Sequence, residues 1–240
     1  MKTRKLYLIT LLLILGTITA SAQGHLEAHL QFKTMHYWRG LRVSKAPVFA
    51  ASAGYFSKNF SAFVWSGVSL TGDYKEVDPV ISCTIKKNFS ITLLDINNFS
   101  GLTSTSIKFF NYNKSNTNTI LDLSAAYKVS FLDISWATII YGNDRVTGTS
   151  NQRFSTYVEL GVPIKTKFAS FRPFIASAFA LNSNVESVLY SNKKGFNIVN
   201  VGFDVSKTIK VKNYNLPITA TVGVNPALNQ ASFQLAVNLF

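Results

Sequence analysis

Cysteine is nearly absent from this 240-residue chain. Cys83 stands alone, so no internal disulfide framework holds the fold. Flanked in a strand pattern by Ile81 and Ile85, it reads as a small hydrophobe, buried or facing lipid, rather than a nucleophile. Histidine is also scarce, with His25, His29 and His36 crowded into one early stretch. A metal centre needs ligands converging from several elements. His25 and His29 share a strand face but stand on the order of 13 Å apart along it, too far to chelate one ion. No metal and no cofactor is expected. A serine hydrolase needs a histidine beside its nucleophile and a third group to orient it. No His-x-Ser motif is present, so the chain is not read as an enzyme. A spatial triad around His36, in a lipid-hydrolysing barrel, stands third among the functional alternatives.

Long apolar runs are missing too, apart from the first 23 residues. There Lys2, Arg4 and Lys5 precede an apolar stretch from Leu6 to Ile18, and Ala20-Ser21-Ala22 offers small residues for cleavage. That is the layout of a secretory signal peptide, and its apolar core is too short to span a bilayer as a helix. The expected division is a signal peptide over 1–23 and one domain over 24–240. Acids are few, 11 against 24 Lys and Arg, and three of those cations belong to the leader. A basic balance suits nucleic acid, but export from the cytoplasm argues against that partner. No later stretch reaches the roughly 20 apolar residues of a membrane helix. If this protein crosses a membrane, it does so with strands.

What is present, from residue 25 onward, is alternation. Leu26, Ala28, Leu30 and Phe32 oppose Glu27, His29, Gln31 and Lys33; Val77, Ile81, Cys83 and Ile85 oppose Glu76, Asp78, Ser82 and Thr84. The same period of two recurs around Leu121–Tyr127, Val199–Val205 and Leu216–Val224. Twelve strands are expected, near 25–36, 47–56, 60–70, 75–86, 89–97, 118–129, 131–141, 153–163, 170–181, 196–206, 215–225 and 231–240. Most have the roughly 9 to 11 residues that cross a bilayer at a tilt. Connections alternate between long, polar segments and short ones, as outer loops and periplasmic turns do in outer-membrane barrels. Three fit less well: an eight-residue turn at 207–214 and short loops at 71–74 and 226–230. A soluble two-sheet sandwich also alternates, but strand length, loop alternation and the leader favour an all-β, transmembrane, antiparallel up-and-down barrel of about twelve strands. Tyr37, Trp38, Tyr55, Phe56, Tyr127, Trp136 and Tyr141 lie near the expected strand ends or along them, and several are expected in the interfacial aromatic girdles.

The last strand puts Phe233, Leu235, Val237 and Leu239 on one face and Gln234, Ala236 and Asn238 on the other. It reads as the strand that closes the barrel, and through Phe240 as the contact with the barrel-assembly machinery. Apolar residues normally keep phase with the terminal aromatic, whereas here the series is shifted by one. Either Phe240 turns inward or a bulge after Leu239 returns it to the lipid side.

Charge placement predicts the interior. Lys33 and Arg172 are the cations well inside strands, while Glu27, Glu76, Asp78, Asp122, Asp133, Glu159 and Asp204 occupy polar strand faces. A midplane charge on the lipid face costs roughly 2–4 kcal/mol for a cation and less for an acid. Those faces therefore point inward, and a net acidic lumen is expected. Either it is water-filled and attracts cations, or the acids pair with Lys33, Arg39, Arg42 and Arg172 in a packed plug. Twelve strands fall between filled and open barrels, so size leaves both standing.

The segment Tyr37-Trp38-Arg39-Gly40-Leu41-Arg42-Val43-Ser44-Lys45-Ala46-Pro47 reads as Tyr-x-Arg-Gly-x-x-x-Ser-x-x-Pro and is followed by Tyr55 and Phe63-Val64-Trp65-Ser66. With Glu76-Val77-Asp78 and Tyr157-Val158-Glu159-Leu160-Gly161, it resembles the TorF-type family of outer-membrane porins, most of which have no assigned function. The likeness spans most of residues 32–163. It implies an outer-membrane barrel with a pore and supplies no substrate. It also singles out Arg39, placed either in the lumen mouth or on lipopolysaccharide phosphates. The sequence reading is thus a passive outer-membrane pore for small polar or cationic solutes, in contact with outer-membrane lipid and lipopolysaccharide. A closed barrel with a surface-binding or envelope-structural role is the alternative.

Overall fold

The computed structural model describes residues 24–102, 106–182 and 185–240; the expected leader lies outside them. Among these residues the chain is built from strands. They are β1 (His25–Lys33), β2 (His36–Trp38), β3 (Leu41–Ser44), β4 (Val48–Phe56) and β5 (Phe60–Ser69). Then come β6 (Lys75–Ile85), β7 (Phe89–Ile96), β8 (Ile120–Val129), β9 (Leu132–Gly142) and β10 (Ser155–Gly161). The last are β11 (Ile164–Lys165), β12 (Ser170–Ala180), β13 (Asn197–Val211), β14 (Tyr214–Asn225) and β15 (Gln230–Asn238). Setting aside the short β2, β3 and β11, twelve strands pair antiparallel with their sequence neighbours. β1 pairs with β15 through Gln31↔Asn238 and Phe32↔Val237, which closes the sheet into a barrel without a free edge.

The faces are inverted relative to a soluble protein. Outward strand positions are apolar and open, with Val64 46%, Ile81 43% and Phe203 44% exposed. Inward positions carry polar groups that are buried, among them Glu76, Asp78, Asp122, Asn200 and Thr221. In water such a continuous apolar surface is far larger than a monomer tolerates. Hydrocarbon is the solvent that suits it, and a closed barrel satisfies the backbone there.

Two strand ends depart most from the sequence reading, and the closing strand decides between the two arrangements expected of it. β1 stops at Lys33, and His36 belongs to the separate β2–β3 hairpin. β13 continues to Val211 because Lys207-Thr208-Ile209-Lys210-Val211 keeps the alternation and pairs with β14, Lys207↔Ile218 to Val211↔Tyr214. The awkward turn at 207–214 is therefore a two-residue connection, with Lys212 at φ 54°. At the closing strand, Leu30 N–H donates to the Phe240 carbonyl at 3.0 Å and Leu239 N–H to the Leu30 carbonyl at 2.7 Å. Leu239 and Phe240 thus both oppose Leu30, the signature of a bulge, which is one of the two arrangements the phase shift left open.

Candidate functional site

The connection from β1 to β4 folds into the barrel instead of extending from it. Its core is the β2–β3 hairpin, with Trp38↔Leu41 paired across Arg39-Gly40. Both turn residues have positive φ, 49° at Arg39 and 84° at Gly40, as a two-residue type I′ turn requires. Glycine is needed for a second reason, since a Cβ at position 40 would overlap the Val199 carbonyl on the far wall. At Gly223, likewise, a Cβ would strike the Tyr37 ring.

Polar contacts fix the hairpin to several strands. Tyr37 Oη donates to Asn200 Oδ1 at 2.5 Å, and Tyr37 N–H to Gln234 Oε1 at 3.0 Å. Asn225 Nδ2 donates to the Gly40 carbonyl at 3.3 Å and to the Tyr190 carbonyl at 3.1 Å. At the tip, Arg39 Nη1 and Nη2 meet Asp122 Oδ2 and Oδ1 at 2.6 and 2.9 Å. Tyr190 Oη accepts a further Arg39 N–H at 3.0 Å. The guanidinium also lies over the Trp38 ring, 4.6 Å from its centroid. Burial opposes the Arg39 charge, but Tyr190 and Asp122 outweigh it and hold the group protonated above its usual range. Burial pushes the Tyr190 phenol up to about 12, so it stays a neutral partner.

Nearer the loop end, His36 stacks on Trp65 at 5.4 Å and meets Tyr74 at 5.3 Å. It is 7% exposed, and among the described residues its Nδ1 has no hydrogen-bond partner. Burial, helped by Lys33, pushes its pKa down to about 3, so the imidazole is neutral. Toward the turn end, Arg172 contacts three acids: Glu159 at 2.6 Å, Asp133 at 3.1 Å and Asp204 at 3.4 Å. Tyr157 donates to Glu159 and receives a hydrogen bond from Asn200 at 2.9 Å. The hairpin, the Arg172 cluster and the β13 wall are thereby one network.

Of the residues singled out from sequence, Arg39 with Asp122, and Arg172 with Asp133, Glu159 and Asp204, form these two clusters. Lys33, Glu76 and Asp78 line a third region, where Lys33 Nζ lies 5.4 Å from the Trp65 centroid. Glu27 is apart, beside His25 at 3.2 Å and His29 at 3.7 Å. Both imidazoles lean toward that carboxylate, closer than the backbone spacing alone implied. Among the described residues no group of three His, Cys, Asp or Glu side chains is placed to hold a metal. Arg42 differs from the plug reading: it donates to the Ala231 carbonyl at 2.7 Å and to Ser232 Oγ, and among the described residues to no acid. Sequence reasoning missed Asn200, Tyr190 and Asn225, which are neutral and carry no motif. Gly40 was the available signal, as the second residue of a two-residue link between β-prone segments.

The space the hairpin leaves forms a series of cavities. One of about 380 Å³ lies among the outer connections around Asn97, Asn98 and Asn116. It shares Asn98 with a chamber of about 540 Å³ bounded by the hairpin and β5–β8. That chamber shares Arg39, Thr92 and Ser124 with one of about 200 Å³, which reaches Glu159. Beyond the Glu159–Arg172 pair lies a fourth, about 290 Å³, beside Arg172, Asp204 and Thr219. Comparison with family models, curated proteins and solved structures yields no match for this chain.

Proposed function

We propose that this protein is an outer-membrane barrel that passes small polar or cationic solutes through a lumen narrowed by the β2–β3 hairpin. The succession of cavities from the loop end to the turn end carries this reading. The first three share lining residues in succession, and the Glu159–Arg172 pair stands between the third and the fourth. Wide porins leave an aqueous channel, and small barrels fill with side chains. A twelve-strand barrel with an inward hairpin lies between, which suits slow passage of small solutes over bulk diffusion. Glu76 and Asp78 on the route favour cations over anions.

The leader, the apolar outer face and the exposed aromatics at strand ends support an outer-membrane location, in contact with lipid and lipopolysaccharide. The likeness of Tyr37–Pro47 to TorF-type porins supports a pore of that family. The bulged strand ending at Phe240 is the segment offered to the barrel-assembly machinery. A second reading has its own support: Arg39 ties the hairpin tip to Asp122 on β8, and Arg172 on β12 ties Glu159, Asp133 and Asp204 together, as a closed barrel with an envelope-structural or surface-binding role requires.

Conductance in planar bilayers separates the two. Discrete ion currents with a cation-selective reversal potential in a salt gradient are expected. A barrel silent to all small ions would overturn the pore in favour of the closed form, and an anion-selective one would overturn the acidic route.

A further inference from the structure

The chamber of about 540 Å³ is unlike the rest of the lumen. Leu41, Val43, Phe63, Leu94, Ile96 and Leu189 give it apolar walls, whereas a path for hydrated ions alone gains nothing from an apolar lining. Its volume is that of a small-molecule site, and the pattern of apolar walls with few polar groups is what such sites show. The polar groups are unbalanced. Glu76 and Asp78, both buried, stand two residues apart on β6. Asn98 Nδ2 donates to Glu76 Oε2 at 2.7 Å and Asn97 N–H to Asp78 Oδ1 at 3.0 Å, and the two acids also hydrogen-bond each other, so the pair is held in place from the wall.

Against these acids the chamber has little positive charge to spare. Arg39 is committed to Asp122. Lys33 lies over the Trp65 ring and acts on Glu76 through its charge, but among the described residues it makes no ion-pair contact with an acid. His36 lines the same chamber, neutral and with its Nδ1 unpartnered. A partly paired acid pair therefore stands beside an apolar wall. An ammonium brings three N–H donors and one positive charge, and an attached ring or alkyl chain fills the apolar side.

We propose that this chamber binds small primary amines with an aromatic or aliphatic body. This solute class deepens the pore reading and rests on it only for access to the lumen. Glu76 and Asp78 receive the ammonium, and the leucine, isoleucine and phenylalanine wall takes the body. The anion of the same shape is rejected because it would face the Glu76–Asp78 acid pair, which holds a negative charge even when the two share one proton, in a site of low polarity.

The test uses the full-length folded barrel in detergent micelles and three compounds with the same phenylethyl body: phenethylamine, 3-phenylpropionate and 2-phenylethanol. Binding is read by titration calorimetry and by fluorescence of Trp38 and Trp65. Phenethylamine is expected to bind at least about tenfold more tightly than either of the others, the effect of one moderately buried charge contact. Glu76→Gln with Asp78→Asn should abolish that preference while circular dichroism retains the β-barrel signal. Lys33→Met should tighten the amine, because it removes the competing cation. Equal binding of all three compounds, tighter binding of the anion, or no binding overturns the proposal. Ion conductance without amine binding removes this site and leaves the pore; amine binding to a barrel that passes no ions keeps the site and removes the pore.

Discussion

Arg39 and Asp122, 83 residues apart in sequence, meet through two hydrogen bonds of 2.6 and 2.9 Å inside the barrel. The arginine stands at the tip of a turn and the aspartate, 0% exposed, on the inner face of β8. The pair joins a hairpin that could have projected outward to the wall it faces. Removing one partner leaves the other charge buried, which typically costs about 3–5 kcal/mol. Arg39→Ala and Asp122→Ala are each expected to lower barrel stability by that order, read by urea unfolding in lipid vesicles. The double variant should lose less than the sum. If the pore reading holds, both single variants also raise conductance, since the tip is no longer held against β8.

Arg172 presents a different balance, one cation among three acids. Arg172→Met leaves Asp133, Glu159 and Asp204 facing one another across the lumen. The expected outcome is a larger cation-to-anion permeability ratio in a salt gradient, with stability reduced. Asp204→Asn should do little by comparison, because its contact is the longest of the three at 3.4 Å and Thr221 Oγ1 also bonds it at 2.7 Å.

Gly40 tests whether the hairpin must sit where it does. Alanine there would carry φ 84° and push a Cβ into the Val199 carbonyl, which is backbone and cannot move aside easily. A non-glycine residue in such a conformation costs on the order of 1–3 kcal/mol. Gly40→Ala is expected to displace the hairpin while the barrel, whose twelve long strands exclude it, stays closed. Limited trypsin digestion would then cut at Arg39 or Arg42 in the variant and spare the parent chain.

The barrel was readable from sequence because its outer face is set by one simple demand, apolar residues at every second position. Val64, Ile81 and Phe203 meet that demand without reference to any partner. The lumen obeys no such local rule. Arg39 finds Asp122, and Tyr37 finds Asn200, across 83 and 163 residues, so neither contact leaves a trace in either neighbourhood. The direction in which a loop folds is likewise set by the far wall. The expected 207–214 turn is instead mostly strand: pairing with β14 continues through Lys207 and Lys210 to Val211. A lysine near a strand end reaches water along its own stem, so the pattern tolerates it.

His36 gives a pH dependence with a defined sign. In the unfolded chain its imidazole takes up a proton near 6.5, whereas in the folded barrel burial and Lys33 hold that step down to about 3. Between those values the unfolded state binds more protons, so this group makes stability rise with pH across the window and fall as the pH drops through it. Carboxylates titrate in the same range, so the comparison must be with a variant. His36→Phe keeps a flat ring between Trp65 and Tyr74 and removes an Nδ1 that has no partner. At pH 7 its effect on stability should be within about 1 kcal/mol, since no hydrogen bond to Nδ1 is lost. At pH 4 it should be more stable than the parent. Unfolding midpoints for both chains at pH 4, 5, 6 and 7 measure this directly, and parallel curves would mean that His36 takes up its proton in the folded barrel as readily as in the unfolded chain.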